Sequence, residues 1–220
     1  MTSYAFSFCG ADLLALGSGA LFWPAEKLLV VSDLHLGKSE RMARRSRQLL
    51  PPYETRDTLA RVAAAIAQTD PACVICLGDS FDDLEAGEAL AEPEAMTLAQ
   101  LMAGRAWVWI EGNHDPGPLE FGGTHLAAVK RGALTFRHIA EETPQGEVSG
   151  HFHPKTSVTL RGRVVTRPSF LVSETRLILP AFGTYTGGLR SSDPALTRLM
   201  GPEAYAILTG AAPCAVPLGR

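Results

Sequence analysis

Acidic and imidazole side chains lie at the ends of several apolar segments of this chain. Five of its six histidines occupy such positions, and only His125 does not. The residue types that bind metals or transfer protons at these ends are Asp33, His35, Asp79, Asn113, His114, Asp115, His138, His151 and His153. A single histidine is usually structural, but many histidines and carboxylates at strand ends are typical of a metal or catalytic site.

The spacing of these residues indicates how they would share a site. Asp33 and His35 are two residues apart, as are His151 and His153, and such pairs point to the same side of an extended chain. Mixed oxygen and imidazole ligands suit manganese, iron, zinc, cobalt or nickel better than calcium or magnesium. The ligands outnumber the needs of one tetrahedral ion, whereas two ions sharing a carboxylate would use all of them. The pattern therefore predicts a two-metal centre of the kind that cleaves phosphate esters.

Three nearly continuous apolar runs precede the acidic positions and predict strands buried on both faces: Lys27 to Ser32, Ala72 to Leu77 and Ala106 to Ile110. Helices are predicted over Glu40 to Leu50, Tyr53 to Gln68 and Glu94 to Ala103. Short strands are predicted over Leu13 to Leu16, Ala20 to Trp23, Ala133 to His138, Gly146 to Gly150, Ser157 to Leu160, Arg163 to Thr166, Phe170 to Val172 and Leu177 to Leu179. Alternating strands and helices followed by successive strands predict an α/β (α+β) fold of two packed sheets with helices outside. No linker is evident, so we expect residues 1–220 to form one domain.

The composition excludes several classes of protein. With 46% hydrophobic and 20% charged residues, the chain resembles soluble globular proteins and not disordered, collagen-like or coiled-coil ones. No apolar run approaches the ~20 residues of a membrane span, and no signal peptide is predicted. The net charge of −3 disfavours a strong non-specific binder of duplex DNA, although a local basic patch could serve a nucleic acid. Cys73 and Cys76 would lie on opposite faces of their strand, which predicts structural thiols and a cytoplasmic protein.

Taken together, the motifs resemble those of the calcineurin-like metallophosphoesterases. Asp33-x-His35, Gly78-Asp79, Gly112-Asn-His-Asp115, His138 and Gly150-His-Phe-His153 occur in that family's order. Longer stretches over residues 33–38, 78–81, 149–154 and 179–188 are similar to the DNA-ligase-associated branch of the family, the PdeM type. The sequence departs from this pattern at Asp82, where many relatives have histidine, and at Ile139, where the wider family often has glycine. The resemblance implies a four-layer αββα sandwich with two mixed sheets.

The resemblance also implies roles for individual residues. The metal ligands form two sets that share a bridging Asp79: Asp33, His35 and His153 for one divalent ion, and Asn113, His138 and His151 for the other. His114 would face the substrate as general acid, with Asp115 orienting its ring, and a metal-bound hydroxide would be the nucleophile.

The implied function is a manganese-supported endonuclease that cuts single-stranded DNA in DNA repair. The resemblance further implies an association with an ATP-dependent DNA ligase, a DEXH-box helicase and a nuclease. Two other functions fit the same residues: a phosphodiesterase for small cyclic or dinucleotide substrates, and a metal-stabilised scaffold in a repair complex. The presence of His114 and Asp115 argues against the scaffold, since a scaffold would need only the ligands.

A basic run that follows the first acidic motif provides candidates for substrate binding. Residues 38–47 include five basic side chains and one acidic side chain. The candidate substrate contacts are Lys38, Arg41, Arg44, Arg45 and Tyr185. The three arginines would share one helix face, as a track for a phosphate backbone or as a solvated face with internal ion pairs. Tyr185 could stack on a base, but a glycine-rich turn closing the second sheet explains its segment as well.

Overall fold

The structure, a computed structural model, describes residues 2–46, 49–117, 120–142 and 145–218. Within these ranges the strands are β1 (Ser3–Phe8), β2 (Ala11–Leu16), β3 (Leu21–Trp23), β4 (Leu28–Val31), β5 (Cys73–Leu77), β6 (Ala106–Ile110), β7 (Thr124–Leu126), β8 (Ala128–Arg131), β9 (Leu134–Arg137), β10 (Glu147–Ser149), β11 (Lys155–Leu160), β12 (Arg163–Val172), β13 (Arg176–Ile178), β14 (Tyr205–Leu208) and β15 (Cys214–Pro217). The α-helices are α1 (Lys38–Ser46), α2 (Glu54–Thr69), α3 (Leu84–Glu88), α4 (Glu92–Met102) and α5 (Pro194–Met200), and a short 3₁₀-helix spans Pro24–Glu26. Of the predicted helix Glu40 to Leu50, residues 47 and 48 lie outside the described residues, and Leu49 and Leu50 are not helical.

The first sheet has the strand order β1-β2-β3-β4-β5-β6-β7. Strands β1 to β4 are antiparallel neighbours, whereas β4, β5, β6 and β7 run parallel. The three apolar runs form the central strands β4, β5 and β6, and every residue of β4 is buried. Because parallel strands end at the same edge, the acidic residues that follow β4 and β5 and those that follow β6 meet at one edge of this sheet.

The second sheet has the order β15-β14-β12-β13-β10-β9-β8 and is also mixed, because β10 runs parallel to β9 and β13 while the remaining neighbours are antiparallel. Strand β12 continues beyond this sheet. Its second half pairs with β13 and β14, and its first half pairs with β11 alone. Strand β11 and the first half of β12 therefore form a hairpin outside the main sheet.

The two sheets pack face to face through one apolar core. This core joins Leu13, Val30 and Ile75 of the first sheet to Phe136 and Phe170 of the second. A second cluster packs α2 and α4 on the outer face of the first sheet, and a third packs α5 on the outer face of the second. The layer order is helix, sheet, sheet, helix, which confirms the predicted αββα sandwich with two mixed sheets.

Cys73 and Cys76 lie on the faces of their strand that the sequence predicts. Cys76 is buried in the core under the helices, whereas Cys73 packs against the core between the sheets, so the two thiols occupy opposite faces of β5. All four cysteines are free. Trp107 and Trp109 are buried together under the helices. Within the described part of the chain, no helix combines the length and apolar character needed to cross a membrane.

Candidate metal centre

The candidate ligands lie in tight loops that follow the strands, and many of them have unusual backbone geometry. Five of them adopt positive φ angles between 46° and 69°: Asp33, His35, Asp79, His151 and His153. Non-glycine residues rarely adopt this left-handed region, and where it recurs it is typical of functional sites. The loops are tied to each other by backbone hydrogen bonds, because the His35 N–H donates to the Asp79 carbonyl at 2.9 Å and the Asp33 N–H to the Gly78 carbonyl at 3.3 Å.

Glycines precede ligand residues where two loops touch. A Cβ atom on Gly150 would overlap the Ser32 hydroxyl and meet Asp33 Oδ2 at 2.6 Å. A Cβ atom on Gly112 would overlap both the backbone nitrogen and the carboxylate of Asp79. These two positions therefore require glycine because a neighbouring ligand loop occupies the space of a side chain. The Gly-Asn-His-Asp and Gly-His-Phe-His motifs are thus packing motifs as well as ligand motifs.

The first ligand group joins Asp33, His35 and His153, whose donor atoms lie within 4.8 Å of one another. Asp33 Oδ1 lies 3.0 Å from His153 Nε2. The Nε2 atom of His35 is buried and has no hydrogen-bond partner among the described residues. Burial opposes ionisation of Asp33, but the His153 and His138 rings and the Ser32 hydroxyl outweigh it and lower the pKa of this carboxyl. The group thus holds an ionised carboxylate, an imidazole nitrogen in contact with that carboxylate, and a second imidazole nitrogen without a hydrogen-bond partner among the described residues.

The second ligand group joins Asp79, His138 and His151, again within 4.8 Å. His138 Nδ1 lies 2.8 Å from the Leu77 carbonyl, which holds the proton on Nδ1 and frees Nε2. That Nε2 lies 3.4 Å from Asp79 Oδ2 and 3.2 Å from His151 Nδ1. Asn113 brings an amide oxygen to this group, because its Oδ1 lies 3.0 Å from the same Nε2.

Asp79 lies between the two groups. Its Oδ2 atom is 4.0 Å from His35 Nε2 on one side and 3.4 Å from His138 Nε2 on the other. Burial disfavours its charge, but the hydrogen bond and positive charge of His138 and the His114 backbone N–H hold its pKa well below the ordinary range. An ionised carboxylate between two nitrogen-rich groups has the position and charge of a bridging ligand.

The donor set fits two divalent transition-metal ions. It combines two ionised carboxylates and one amide oxygen with imidazole nitrogens, the mixture that ions of intermediate softness prefer. Both groups are largely buried, and the buried Nε2 of His35 has no hydrogen-bond partner among the described residues. The structure thus brings together all seven predicted ligands, and their roles as ligands are a proposal that this geometry supports.

Asp82, the departure from the family pattern, lies against the first group. Its Oδ1 atom is 2.8 Å from His35 Nδ1, so it orients the ring and leaves Nε2 to face the centre. Arg41 Nη1 lies 2.9 Å and Lys38 Nζ 3.6 Å from the same carboxylate. Burial opposes the charge, but His35, Lys38 and Arg41 lower the pKa of Asp82 to about 2. Sequence analysis missed this role because the motif comparison marked position 82 only as a departure.

His114 borders the centre without belonging to the two proposed ligand sets. Its Nδ1 atom lies 2.8 Å from the Asp82 carbonyl oxygen, and its Nε2 atom lies 4.0 Å from Asp79 Oδ2. The side chain is 31% exposed. The ring is therefore fixed through Nδ1, and its second nitrogen is open to both the centre and the solvent.

The expected role of Asp115 is wrong. The ring nitrogen of His114 contacts the Asp82 carbonyl, and the Asp115 carboxylate accepts hydrogen bonds from the backbone instead. Its donors are the N–H groups of Asp79, Ser80, Phe81 and Gly112, at 2.8–3.2 Å. Burial and the Asp79 charge raise the pKa of Asp115 to about 6, although these N–H donors oppose that shift. Asp115 therefore holds two ligand loops together and does not orient the ring of His114.

The basic residues of α1 form ion pairs. Arg41 pairs with Asp82, Arg44 contacts Glu40, Asp83 and Glu85, and Arg45 Nη2 lies 3.1 Å from Asp83. Lys38 and these three arginines thus meet four carboxylates. The structure favours the interpretation as an ion-paired helix face over that of a free phosphate track.

Tyr185 lies in a loop beside the centre. The Gly183 N–H donates to the Asp33 carbonyl at 3.1 Å, which ties the loop to the first ligand group. The Tyr185 ring lies 5.6 Å from the Tyr53 ring and tilts 57° against it. Partial burial, the neighbouring Tyr53 and nearby carboxylates raise the pKa of Tyr185 to about 12. One face of this tyrosine is therefore occupied by Tyr53.

Comparisons with known proteins agree with this fold and site. The sequence model of the family described as calcineurin-like phosphoesterase matches residues 26–170, which is more than half of the chain. The chain belongs to the calcineurin-like phosphoesterase family. Among solved structures it is similar to the crystal structure of Pseudomonas putida nuclease MPE, with a TM-score of 0.76 and 26% sequence identity over 98% of this chain and 100% of that chain. No curated protein compared with the chain matches it.

Proposed function

We propose that this phosphoesterase is a manganese-dependent phosphodiesterase that cuts single-stranded DNA internally. The observation that carries the proposal is the position of His114, with one ring nitrogen fixed by a backbone carbonyl and the other open beside the bridging carboxylate. A pure scaffold needs ligands but no such residue. The nuclease named for the similar P. putida structure supports a nucleic acid as the substrate.

Charge favours a diester substrate. Two bound divalent ions would polarise the phosphate and lower the pKa of a water molecule to near neutrality. Asp33 and Asp79 offset about two of the four positive charges that such a pair brings, leaving about +2 to attract a phosphodiester. Asp82 does not add to this balance, because Lys38 and Arg41 neutralise it.

His114 would supply the proton that the leaving oxygen needs. Since its Nδ1–H is held by the Asp82 carbonyl, protonation places the second proton on Nε2, on the side of the ring that is open to the centre. Proton transfer from a positioned imidazolium contributes roughly 10²–10⁴-fold to a rate. A cavity of about 460 Å³ borders the second ligand group and is lined by Asn113, Arg137, His138 and Ile139 among others. It offers room for a nucleotide next to the scissile bond.

The test uses circular single-stranded DNA, which an exonuclease cannot attack. Protein stripped by chelation and restored with manganese should linearise the circle. His114→Ala should bind two manganese ions and lose at least about 100-fold in cleavage rate. Asn113→Ala should lose metal, and His125→Ala, a histidine on β7 outside the centre, should retain both activity and metal.

Three results would count against the proposal. An intact circle at full metal occupancy, with rapid hydrolysis of a cyclic dinucleotide, would assign the enzyme to small diesters. Full activity of His114→Ala would show that His114 is not the general acid. Full metal occupancy in Asn113→Ala would show that Asn113 is not a metal ligand. The role in repair and the ligase, helicase and nuclease partners stay predictions of the family resemblance. The cytoplasmic location and the single domain over residues 1–220 stay predictions from the sequence.

A further inference from the structure

The hairpin of β11 and the first half of β12 projects from the second sheet. Six residue pairs join the two strands, from Lys155 opposite Pro168 to Leu160 opposite Arg163. At ~3.4 Å per residue the hairpin is about 20 Å long. Its tip is exposed, with Leu160 60% and Val164 72% accessible. Neither sheet nor helix of the described structure covers this tip.

The hairpin carries a positive charge that stands out from the rest of the chain. Residues 154–173 contain four basic residues and no acidic residue, in a chain whose net charge is −3. Among the described residues, no carboxylate lies within ion-pair distance of Arg161, Arg163 or Arg167. The arginines of α1, in contrast, are all paired. The three hairpin arginines therefore keep a charge that no carboxylate of the described residues neutralises.

The base of the hairpin is attached to the metal centre. Strand β11 begins two residues after the proposed ligand His153. The Lys155 N–H donates to the Leu189 carbonyl at 2.8 Å, and Lys155 Nζ to the Thr186 carbonyl at 3.3 Å. A Cβ atom on Gly188 would overlap the His153 carbonyl, so this loop packs directly on the ligand segment. Lys155 and the adjacent Arg190 extend the basic surface from the hairpin to the centre.

The spacing of the arginines suits a phosphate backbone. Arg163 and Arg167 are four residues apart on β12, so they share one face and lie about 13 Å from each other along the strand. Two cations at this distance reach separate phosphates of one strand. The hairpin has no aromatic residue that could stack on a base, so its contribution would be electrostatic and independent of sequence.

We propose that this hairpin, residues 155–168, is a nucleic-acid arm that binds the backbone of single-stranded DNA and leads it to the metal centre. The proposal rests on the proposed function and assigns the backbone contacts to Arg161, Arg163 and Arg167 in place of helix α1. It also accounts for DNA binding by an acidic chain, because the contact needs only a local excess of positive charge.

Binding is tested by fluorescence anisotropy with a phosphorothioate oligothymidylate, which keeps the backbone charge and resists hydrolysis. The test variant is Arg163→Gln/Arg167→Gln. The matched control is Lys130→Gln/Arg131→Gln, which removes two exposed charges beside the β8–β9 turn, at the end of these strands away from His138. Each lost phosphate contact lowers the slope of log K against log salt by about 0.7, so the hairpin variant should lose about 1.4 from the slope. If the variant and the unaltered protein bind equally at 1 M salt, this difference in slope lowers the affinity of the variant about 25-fold at 0.1 M salt.

Manganese-dependent hydrolysis of bis(p-nitrophenyl) phosphate shows whether the centre is intact. Support requires weaker DNA binding by the hairpin variant, wild-type binding by the control, and equal hydrolysis of the small diester by both. Wild-type affinity and slope in the hairpin variant, an equal loss in the control, or no DNA binding by the unaltered protein would overturn the arm. The hairpin would then remain as a docking element for a protein. Tight, hairpin-dependent binding without cleavage of the circle would instead refute the endonuclease and leave the arm standing.

Discussion

Replacement of Asp115 by alanine should destabilise the protein strongly. The carboxylate is 7% exposed and accepts four backbone hydrogen bonds, three of which join the loop after β5 to the loop after β6. Asp115→Ala leaves these N–H groups without an acceptor. An unsatisfied buried donor costs about 1–3 kcal/mol, so four of them give about 4–12 kcal/mol. The lower end applies, because water can enter the vacated space and because burial of the carboxylate itself is costly.

The free energy of unfolding in urea, measured on chelated protein, tests this estimate. We expect Asp115→Ala to lose about 4 kcal/mol. The control Asp193→Ala removes an exposed carboxylate that caps α5 through a single N–H, that of Ala195, and should lose about 1 kcal/mol. If Asp115 served only to orient His114, its removal would slow turnover and leave stability unchanged. An Asp115→Ala protein within about 1 kcal/mol of the parent would therefore refute the proposed tie between the loops.

Three further substitutions test other contacts of the structure. Gly150→Ala places a methyl group in the space of the neighbouring ligand loop and should abolish metal binding by elemental analysis, whereas Gly117→Ala, with open space around it, should bind metal normally. Asp82→Ala removes the carboxylate that orients one imidazole and should weaken manganese binding about 10–100-fold in calorimetry; unchanged affinity would contradict that role. Arg176→Met removes the nearest cation of the buried Glu147 carboxylate, at 2.7 Å, while Arg137 Nε remains at 3.6 Å. The free energy of unfolding should fall by about 3 kcal/mol, the lower end of the cost of breaking a buried ion pair, and a loss as small as that of a surface substitution would contradict this.

The central strands could be predicted from the sequence because short apolar runs between turn residues indicate buried strands. A run such as residues 106–110, flanked by turn residues, fits only a strand buried on both faces, and β6 has those bounds. Strand β1, by contrast, alternates between exposed and buried residues at the edge of the first sheet and was not predicted. Strands β14 and β15 and helix α5 were missed for a similar reason, since their apolar character becomes informative only against the rest of the second sheet.

Strand β12 shows how a local rule can mislead. The sequence predicts two strands, Arg163 to Thr166 and Phe170 to Val172, because Pro168 lies between them. The structure has one strand over Arg163–Val172. Pro168 lies where pairing with β11 ends and pairing with β14 begins at Ser169, and its carbonyl still accepts the Thr209 N–H at 3.0 Å. A proline is tolerated there because no neighbouring strand needs its missing N–H.

The metal-binding residue types can be recognised within short stretches of sequence. The residues that hold those side chains in place lie far away along the chain. Asp33-x-His35 and Gly150-His-Phe-His153 each indicate metal binding within a few residues. The partner of His35, Asp82, lies 47 positions away, and three of the four donors to Asp115 come from a loop more than 30 residues earlier. Contacts between a side chain and a distant backbone leave no periodic pattern, so the sequence supports a plausible but wrong partner for His114.

The same reasoning separates the two basic segments. Residues 38–47 and 154–173 both carry an excess of positive charge in the sequence, and the first is the more basic of the two. Folding brings Asp82, Asp83 and Glu85 against α1 and cancels its charge, while the hairpin meets no carboxylate among the described residues. A field that attracts a polyanion depends on the charge left after pairing. The hairpin, which is the less densely charged segment in the sequence, is therefore the better candidate for binding a polyanion in the folded protein.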